Sequence, residues 1–124
     1  MEDDPAVAEM YGLGLRNAGY SVASFPNGGA LLASLEFYLP DLLVLDWVLP
    51  GMTGDELLAH LRANARAKDL RVFVLSNLAG TDGGEIDAAF AGGVLAWLEK
   101  SRTTPAGLAA RVREVLTLQV SGAA

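Results

Sequence analysis

Four widely separated places in the chain carry the side chains best suited to chemistry: the acidic run Glu2-Asp3-Asp4, then Asp46, Ser76 and Lys100. Asp46 closes four consecutive apolar residues, Leu42 to Leu45, and precedes a turn sequence with Pro50 and Gly51. An apolar run without polar alternation suits a strand covered on both faces. A carboxylate at its carboxyl end lies where open α/β sheets place their ligands. Ser76 and Lys100 also end apolar runs, so in a parallel sheet all three would share one edge. The acidic run precedes a helix start and falls on the same edge. Carboxylates gathered this closely repel unless a cation neutralises them, and oxygen ligands with room for water suit Mg²⁺. Such a metal lowers the charge barrier to bringing a phosphoryl group up to Asp46. Lys100 supplies a second positive charge, and Ser76 a hydroxyl donor for a phosphoryl oxygen. Singly, each has a plainer role: a turn-forming Asp, a solvated acidic terminus, a strand-ending Ser, a surface Lys. Jointly, the chemical role is favoured.

The elements that must position these groups alternate along the chain. Asp4 and Pro5 open a helix over about Ala6–Ala18, with Gly19 suited to its C-cap. Tyr20 to Phe25 alternates and reads as a strand. Asn27 caps a helix from Gly28 to about Tyr38. Thr53-Gly54-Asp55-Glu56 forms a capping box ahead of a helix carrying Leu57, Leu58 and Leu61. Arg71–Ser76 and Val94–Glu99 read as strands. Between them lies a short helix, about Glu85–Ala91, capped by Asp82 and broken by Gly92 and Gly93. Thr104 and Pro105 start a last helix ending near Leu116. This order implies right-handed βαβ units and a parallel sheet with helices on both faces.

The 124 residues make one domain, 52% hydrophobic and therefore not disordered. No apolar run is long enough to span a membrane, and an acidic opening argues against a signal peptide. There is no cysteine and hence no thiolate metal site; a reducing cytoplasm fits. A net charge of −6 argues against nucleic-acid binding. His60, the only histidine, reads as a surface residue on a scaffold helix.

In its ordered combination of Glu2-Asp3-Asp4-Pro5, Asp46 with Leu49-Pro50-Gly51-Met52-Thr53-Gly54, Ser76 and Glu99-Lys100, the chain resembles a response-regulator receiver domain of two-component signalling over nearly its whole length. The resemblance implies a flavodoxin-like fold, usual strand order 2-1-3-4-5, over residues 1–124. It makes Asp46 the phosphoacceptor, with Asp3 and Asp46 binding Mg²⁺ directly, Glu2 through water, and the Val48 carbonyl as a further ligand. Ser76 becomes the switch hydroxyl, Lys100 the phosphate-contacting lysine and Trp97 the aromatic switch. The phosphodonor would be a sensor histidine kinase or a histidine phosphotransfer protein. Output would pass to a partner protein, since no room is left for an output domain, and a homodimer is compatible with this. A phosphorylation-independent pseudo-receiver is the second reading. A phosphohydrolase with an aspartyl-phosphate intermediate is disfavoured, because such enzymes use a second Asp where Val48 stands.

The chain departs from the family pattern in several places. Only Met1 precedes Glu2 where receivers carry a central apolar strand. The slot could reflect an artificial start, be filled by another copy, or be filled by Leu116–Val120 as an inserted strand. Lys100 is followed by Ser101 rather than proline, which implies either a trans bond with a repositioned lysine or a strained cis bond. The loop from Ser76 to Lys100 is about two residues longer than is usual for the family, and Asn77 narrows the expected phosphate pocket. Val48 and Leu78 are apolar and cannot orient an attacking water, so autodephosphorylation should be slow.

Overall fold

A computed structural model describes residues 1–2, 4–47, 51–77 and 83–123, with the backbone course alone for 83–85 and 117–123. Helix α1 (Pro5–Asn17) starts as its sequence requires. The Asp4 carboxylate accepts from the Ala6 and Val7 amides at 3.0 and 3.4 Å, and Pro5 occupies the first turn. Helix α2 (Gly28–Ser34) is capped by Asn27, whose side chain accepts from Ala30 N at 2.8 Å. Strand β1 (Leu42–Leu45) leads to α3 (Gly54–Ala63), capped by Thr53 through the Glu56 amide. Strand β2 (Arg71–Ser76), α4 (Gly83–Ala91), β3 (Val94–Glu99), a 3₁₀ turn (Lys100–Arg102) and α5 (Pro105–Ala123) complete the chain.

The three strands among the described residues are parallel, in the order β1-β2-β3, with Leu45 opposite Val74 and Ser76 opposite Glu99. Strand alternation splits the core in two. Leu43, Leu45, Val72, Val74 and Val94 face a layer built from α2, α3 and α4, including Leu31, Leu35, Leu57, Leu61 and Ala89. Phe73, Leu75 and Ala96 face α1 and α5 through Tyr11, Leu108 and Val112. Helices therefore cover both faces, as expected. Gly14 lets α1 approach α5, since a Cβ there would stand 2.6 Å from Pro105 Cβ. Arg62 ties the layers together by donating to the Gly92, Lys68 and Leu70 carbonyls.

Three expectations need correction, and one open alternative is decided. Tyr20–Phe25 is not a strand: its pattern suits a sheet, yet among the described residues the neighbour that bonds it is Glu2, through the Phe25 carbonyl. Helix α2 stops at Ser34, where turn bonds from Phe37 and Tyr38 to the Ser34 carbonyl take over ahead of Pro40. Helix α5 runs past Leu116 to Ala123, so Leu116–Val120 is helical and does not enter the sheet. No proline or glycine interrupts the segment, and leaving the helix would forfeit its backbone bonds. No peptide bond among the described residues is cis, so Lys100-Ser101 is trans, and the 3₁₀ turn is what redirects the chain after β3. The Asp82 cap and the Ser76–Lys100 loop tip lie outside the described residues.

Candidate functional site at the carboxyl edge of the sheet

All three strands end on one edge, and their terminal residues meet there. Asp46, just past β1, is 6% exposed, and Ser76, the last residue of β2, is fully buried. Lys100, just past β3, extends its ammonium between two carboxylates, 2.7 Å from Glu2 Oε2 and 3.0 Å from Asp46 Oδ2. Glu2 and Asp46, 44 positions apart in sequence, are thus bridged by one cation. Burial works to lower the Lys100 pKa, but its hydrogen bonds to Glu2 and Asp46 and their charges outweigh burial, so the net direction is upward. The ammonium is held firmly in its charged form.

Main-chain bonds from the first two residues fix the acidic arm. The Asp46 amide donates to the Met1 carbonyl at 2.9 Å, the Met1 amino group donates to the Val44 carbonyl, and the Glu2 amide donates to the Phe25 carbonyl at 3.1 Å. Burial pushes the Met1 amino group down to about 6, against the opposing pull of Glu2 and Asp46. Asp4, the third acid described, is engaged in capping α1. Asp3 and Val48, the other expected metal ligands, lie outside the described residues. Among the described residues there is no group of three acidic, histidine or cysteine side chains set to hold a metal.

Ser76 Oγ is buried and has no hydrogen-bond partner among the described residues, which is rare for a buried hydroxyl. Trp97, one residue of β3 opposite Val74, is half-buried, and its Nε1 is likewise enclosed without a partner. Its ring lies 5.0 Å from that of Trp47, tilted by 55°, a favourable aromatic geometry. Asn77 is exposed and lines a shallow depression with Lys100, Ser101 and Tyr11. His60 is exposed on α3, as expected.

Three contributors were not singled out from sequence. Met1 acts through its main chain, which residue type does not reveal. Tyr11, read only as an apolar contact, donates its hydroxyl to the Thr103 carbonyl at 2.7 Å, with the Lys100 carbonyl at 3.3 Å, and so steadies the turn carrying the lysine. Burial raises the Tyr11 pKa, keeping that hydroxyl a donor. Trp47, adjacent to Asp46, is 5% exposed and packs on Gly54, where a Cβ would stand 2.4 Å from the indole ring. The available signal was its position beside the key carboxylate, together with glycine at the start of α3.

Comparison with known proteins agrees with this geometry. Residues 1–113 match the family model for the response regulator receiver domain. The chain is 33% identical over 116 residues to the phosphate regulon transcriptional regulatory protein PhoB of Rhizobium meliloti, covering 94% of this chain and 50% of that protein. The chain thus spans half or less of the length of the curated relatives it matches first. Among solved structures it is similar to a response regulator from Chloroflexus aurantiacus J-10-fl, at 34% identity, TM-score 0.82 and coverage of 94% and 93% of the two chains. It is also similar to the Mn²⁺-bound form of response regulator Rcp1, at 26% identity, TM-score 0.72 and coverage of 83% and 79%. The shared architecture is the flavodoxin-like α/β fold. No helix among the described residues is long and apolar enough to cross a membrane.

Proposed function

This chain belongs to the response regulator receiver domain family of two-component signalling, and from that premise we propose that Asp46 is its phosphoacceptor. The observation that carries the proposal is the single ammonium of Lys100 bridging Glu2 and Asp46 at one sheet edge. That arrangement already holds a cation between acidic oxygens, next to a carboxylate that can act as a nucleophile. In the transfer, an Asp46 carboxylate oxygen attacks phosphorus, the new O–P bond forms, and the bond to the donor's leaving group breaks. With a phosphohistidine donor the leaving group is a ring nitrogen, which takes up a proton. Lys100 neutralises charge on the incoming phosphoryl oxygens, and the Ser76 hydroxyl, without a partner among the described residues, donates to one of them.

The donor set fits a hard divalent cation: Glu2 and Asp46 offer carboxylate oxygens, joined in the proposal by Asp3 and the Val48 carbonyl. Mg²⁺ there supplies charge neutralisation for the approaching phosphoryl group. Once phosphorylated, Asp46 draws Ser76 toward the phosphoryl oxygen. Trp97 responds beside it, and the face formed by α4, β3 and α5 changes for a downstream protein. The donor is a sensor histidine kinase or a histidine phosphotransfer protein, and the setting is cytoplasmic.

Trp47 and Trp97 are the only tryptophans in the chain, and both flank the site, so intrinsic fluorescence reports on it. Beryllofluoride or acetyl phosphate with Mg²⁺ should change the fluorescence of the wild type and leave Asp46→Asn unchanged. Acetyl phosphate should add one phosphoryl mass to the wild type alone. Equal responses in both proteins, or none in either while Mg²⁺ binds, would refute phosphorylation at Asp46 and favour a pseudo-receiver.

A further inference from the structure

Lys100 enters its site on a turn that its own residues do little to fix. Lys100, Ser101, Arg102 and Thr103 include neither proline nor glycine, and Ser101 and Arg102 are exposed. The bond that closes the turn, from the Thr103 amide to the Lys100 carbonyl, is 3.4 Å, long for an N–H···O contact. Arg102 pairs with Glu99 at 3.4 Å, but its side chain is 84% exposed, so solvent leaves that pair weak.

Helix α1 supplies what the turn lacks. The Tyr11 hydroxyl donates to the Thr103 carbonyl at 2.7 Å and stands 3.3 Å from the Lys100 carbonyl, so one group reaches both ends of the turn. The Tyr11 ring is buried among Phe73, Leu75, Ala96 and Leu108, and this packing fixes where the hydroxyl stands. Three residues on, along the same helix face, Gly14 lies against Pro105 at the start of α5. Thr104 caps that helix by accepting from the Gly107 amide at 3.0 Å. The exit of the turn is therefore also fixed against α1. The amino end of the same helix holds the acidic partner of the lysine. The amide of Asp4, the cap residue, donates at 3.2 Å to Oε1 of Glu2, whose Oε2 meets the Lys100 ammonium at 2.7 Å. Glu2, Lys100, the turn, Tyr11 and α1 thus form a closed circuit of contacts, and Asp46 joins it through the ammonium at 3.0 Å. We propose that Tyr11 is a positioning residue for Lys100. By pinning the turn to the helix whose start holds Glu2, its hydroxyl sets where the ammonium stands between Glu2 and Asp46.

Lys68 and Lys100 are the only lysines in the chain, and Lys68 is exposed, so it serves as an internal reference. Reductive methylation, followed at each lysine by peptide mass spectrometry, is measured in the wild type, Tyr11→Phe and Leu35→Val. Phenylalanine keeps the ring and deletes only the hydroxyl. Leu35→Val loosens buried packing on the opposite face of the sheet. Tyr11→Phe should raise the ratio of Lys100 to Lys68 methylation about fivefold, in keeping with one lost hydrogen bond, while Leu35→Val keeps the wild-type ratio. A wild-type ratio in Tyr11→Phe, or the same rise in Leu35→Val, overturns the proposal. The consequence for phosphoryl transfer rests on Asp46 as the acceptor and is read separately. Acetyl phosphate with Mg²⁺ should label Tyr11→Phe about tenfold more slowly than the wild type, and equal rates overturn the positioning role. No labelling of any variant, with the methylation ratio raised in Tyr11→Phe alone, refutes Asp46 as the acceptor and upholds the placement of Lys100 by Tyr11.

Discussion

Replacing Lys100 by Met removes the ammonium that bridges Glu2 and Asp46 while keeping most of the side chain's length and apolar stem. At 2.7 and 3.0 Å, each contact has a gross attraction of about 6 kcal/mol at an effective dielectric near 20. Most of that is offset by desolvation, and Lys100 retains 22% of its side-chain exposure, so solvent screens the remainder. Removing the cation also leaves two carboxylates facing one another. We expect a net loss of about 2 kcal/mol at low ionic strength, or about 8 °C in thermal midpoint for a domain of this size. The loss should shrink as salt rises.

Mg²⁺ separates this account from simple loss of packing. A variant without Lys100 presents the same carboxylates with no internal competitor, so it should bind Mg²⁺ about tenfold more tightly. A ligand at about 100 times its dissociation constant adds about 2.7 kcal/mol of stability. Thermal melts of both proteins across a Mg²⁺ series should therefore converge as the metal is raised, and acetyl-phosphate labelling should fall sharply in the variant throughout. An unchanged midpoint without metal, or a Mg²⁺ increment identical in both proteins, would show that the bridge is not the electrostatic keystone of the site.

Gly54→Ala should destabilise by about 1–3 kcal/mol, because the new methyl meets the Trp47 ring at 2.4 Å. A urea midpoint equal to that of Gly29→Ala, whose Cβ meets only Asn27 Oδ1 at 3.5 Å, would contradict this. The Met1 amino group, at about 6 when folded against 8.0 in its ordinary state, binds fewer protons folded than unfolded between those values. Its contribution is therefore greatest above pH 8 and is lost as pH falls through 6, about 3 kcal/mol in all. Denaturation of wild type and Nα-acetylated protein from pH 5 to 9 should show this slope only in the former. The aspartyl phosphate should persist for minutes or longer after acetyl-phosphate labelling, because Val48 and Leu78 cannot direct a water; a lifetime of seconds would contradict that reasoning.

What was legible in the sequence is what local pattern determines. The limits of Arg71–Ser76 and Val94–Glu99, the caps at Asp4, Asn27 and Thr53, and the convergence of Asp46 with Glu2 and Lys100 all follow from periodicity, capping chemistry and βαβ order. What was not legible depends on distant partners. Tyr20–Phe25 has strand-like alternation, yet a strand exists only where a neighbour bonds it, and the neighbour here is two residues long. Leu116–Val120 has β-compatible residues, but its helical bonds extend those of the preceding turns. The Tyr11 hydroxyl and the Met1 main chain act across 92 and 43 positions, respectively, beyond the reach of any window on the sequence.

Lys100 also links the two proposed ligands of the site. Its ammonium is shared between Glu2 and Asp46, and the proposed contact with a phosphoryl group would require it to leave at least one of them. In the proposed site, a divalent cation held by those same carboxylates would compensate their charge and weaken their hold on the lysine. On the proposed function, Lys100 would then be freer to meet a phosphoryl oxygen beside Asp46. By linkage, the phosphorylated state must in turn favour the metal by the same factor. Tyr11 limits how far this release can go, because its hydrogen bond to the Thr103 carbonyl anchors the turn that follows Lys100. In the proposed transfer, the side chain would swing toward a phosphoryl oxygen while its backbone stays fixed. On the proposed function, a side chain that can change partners on a tethered main chain would let one lysine both bridge the carboxylates and meet a phosphoryl oxygen.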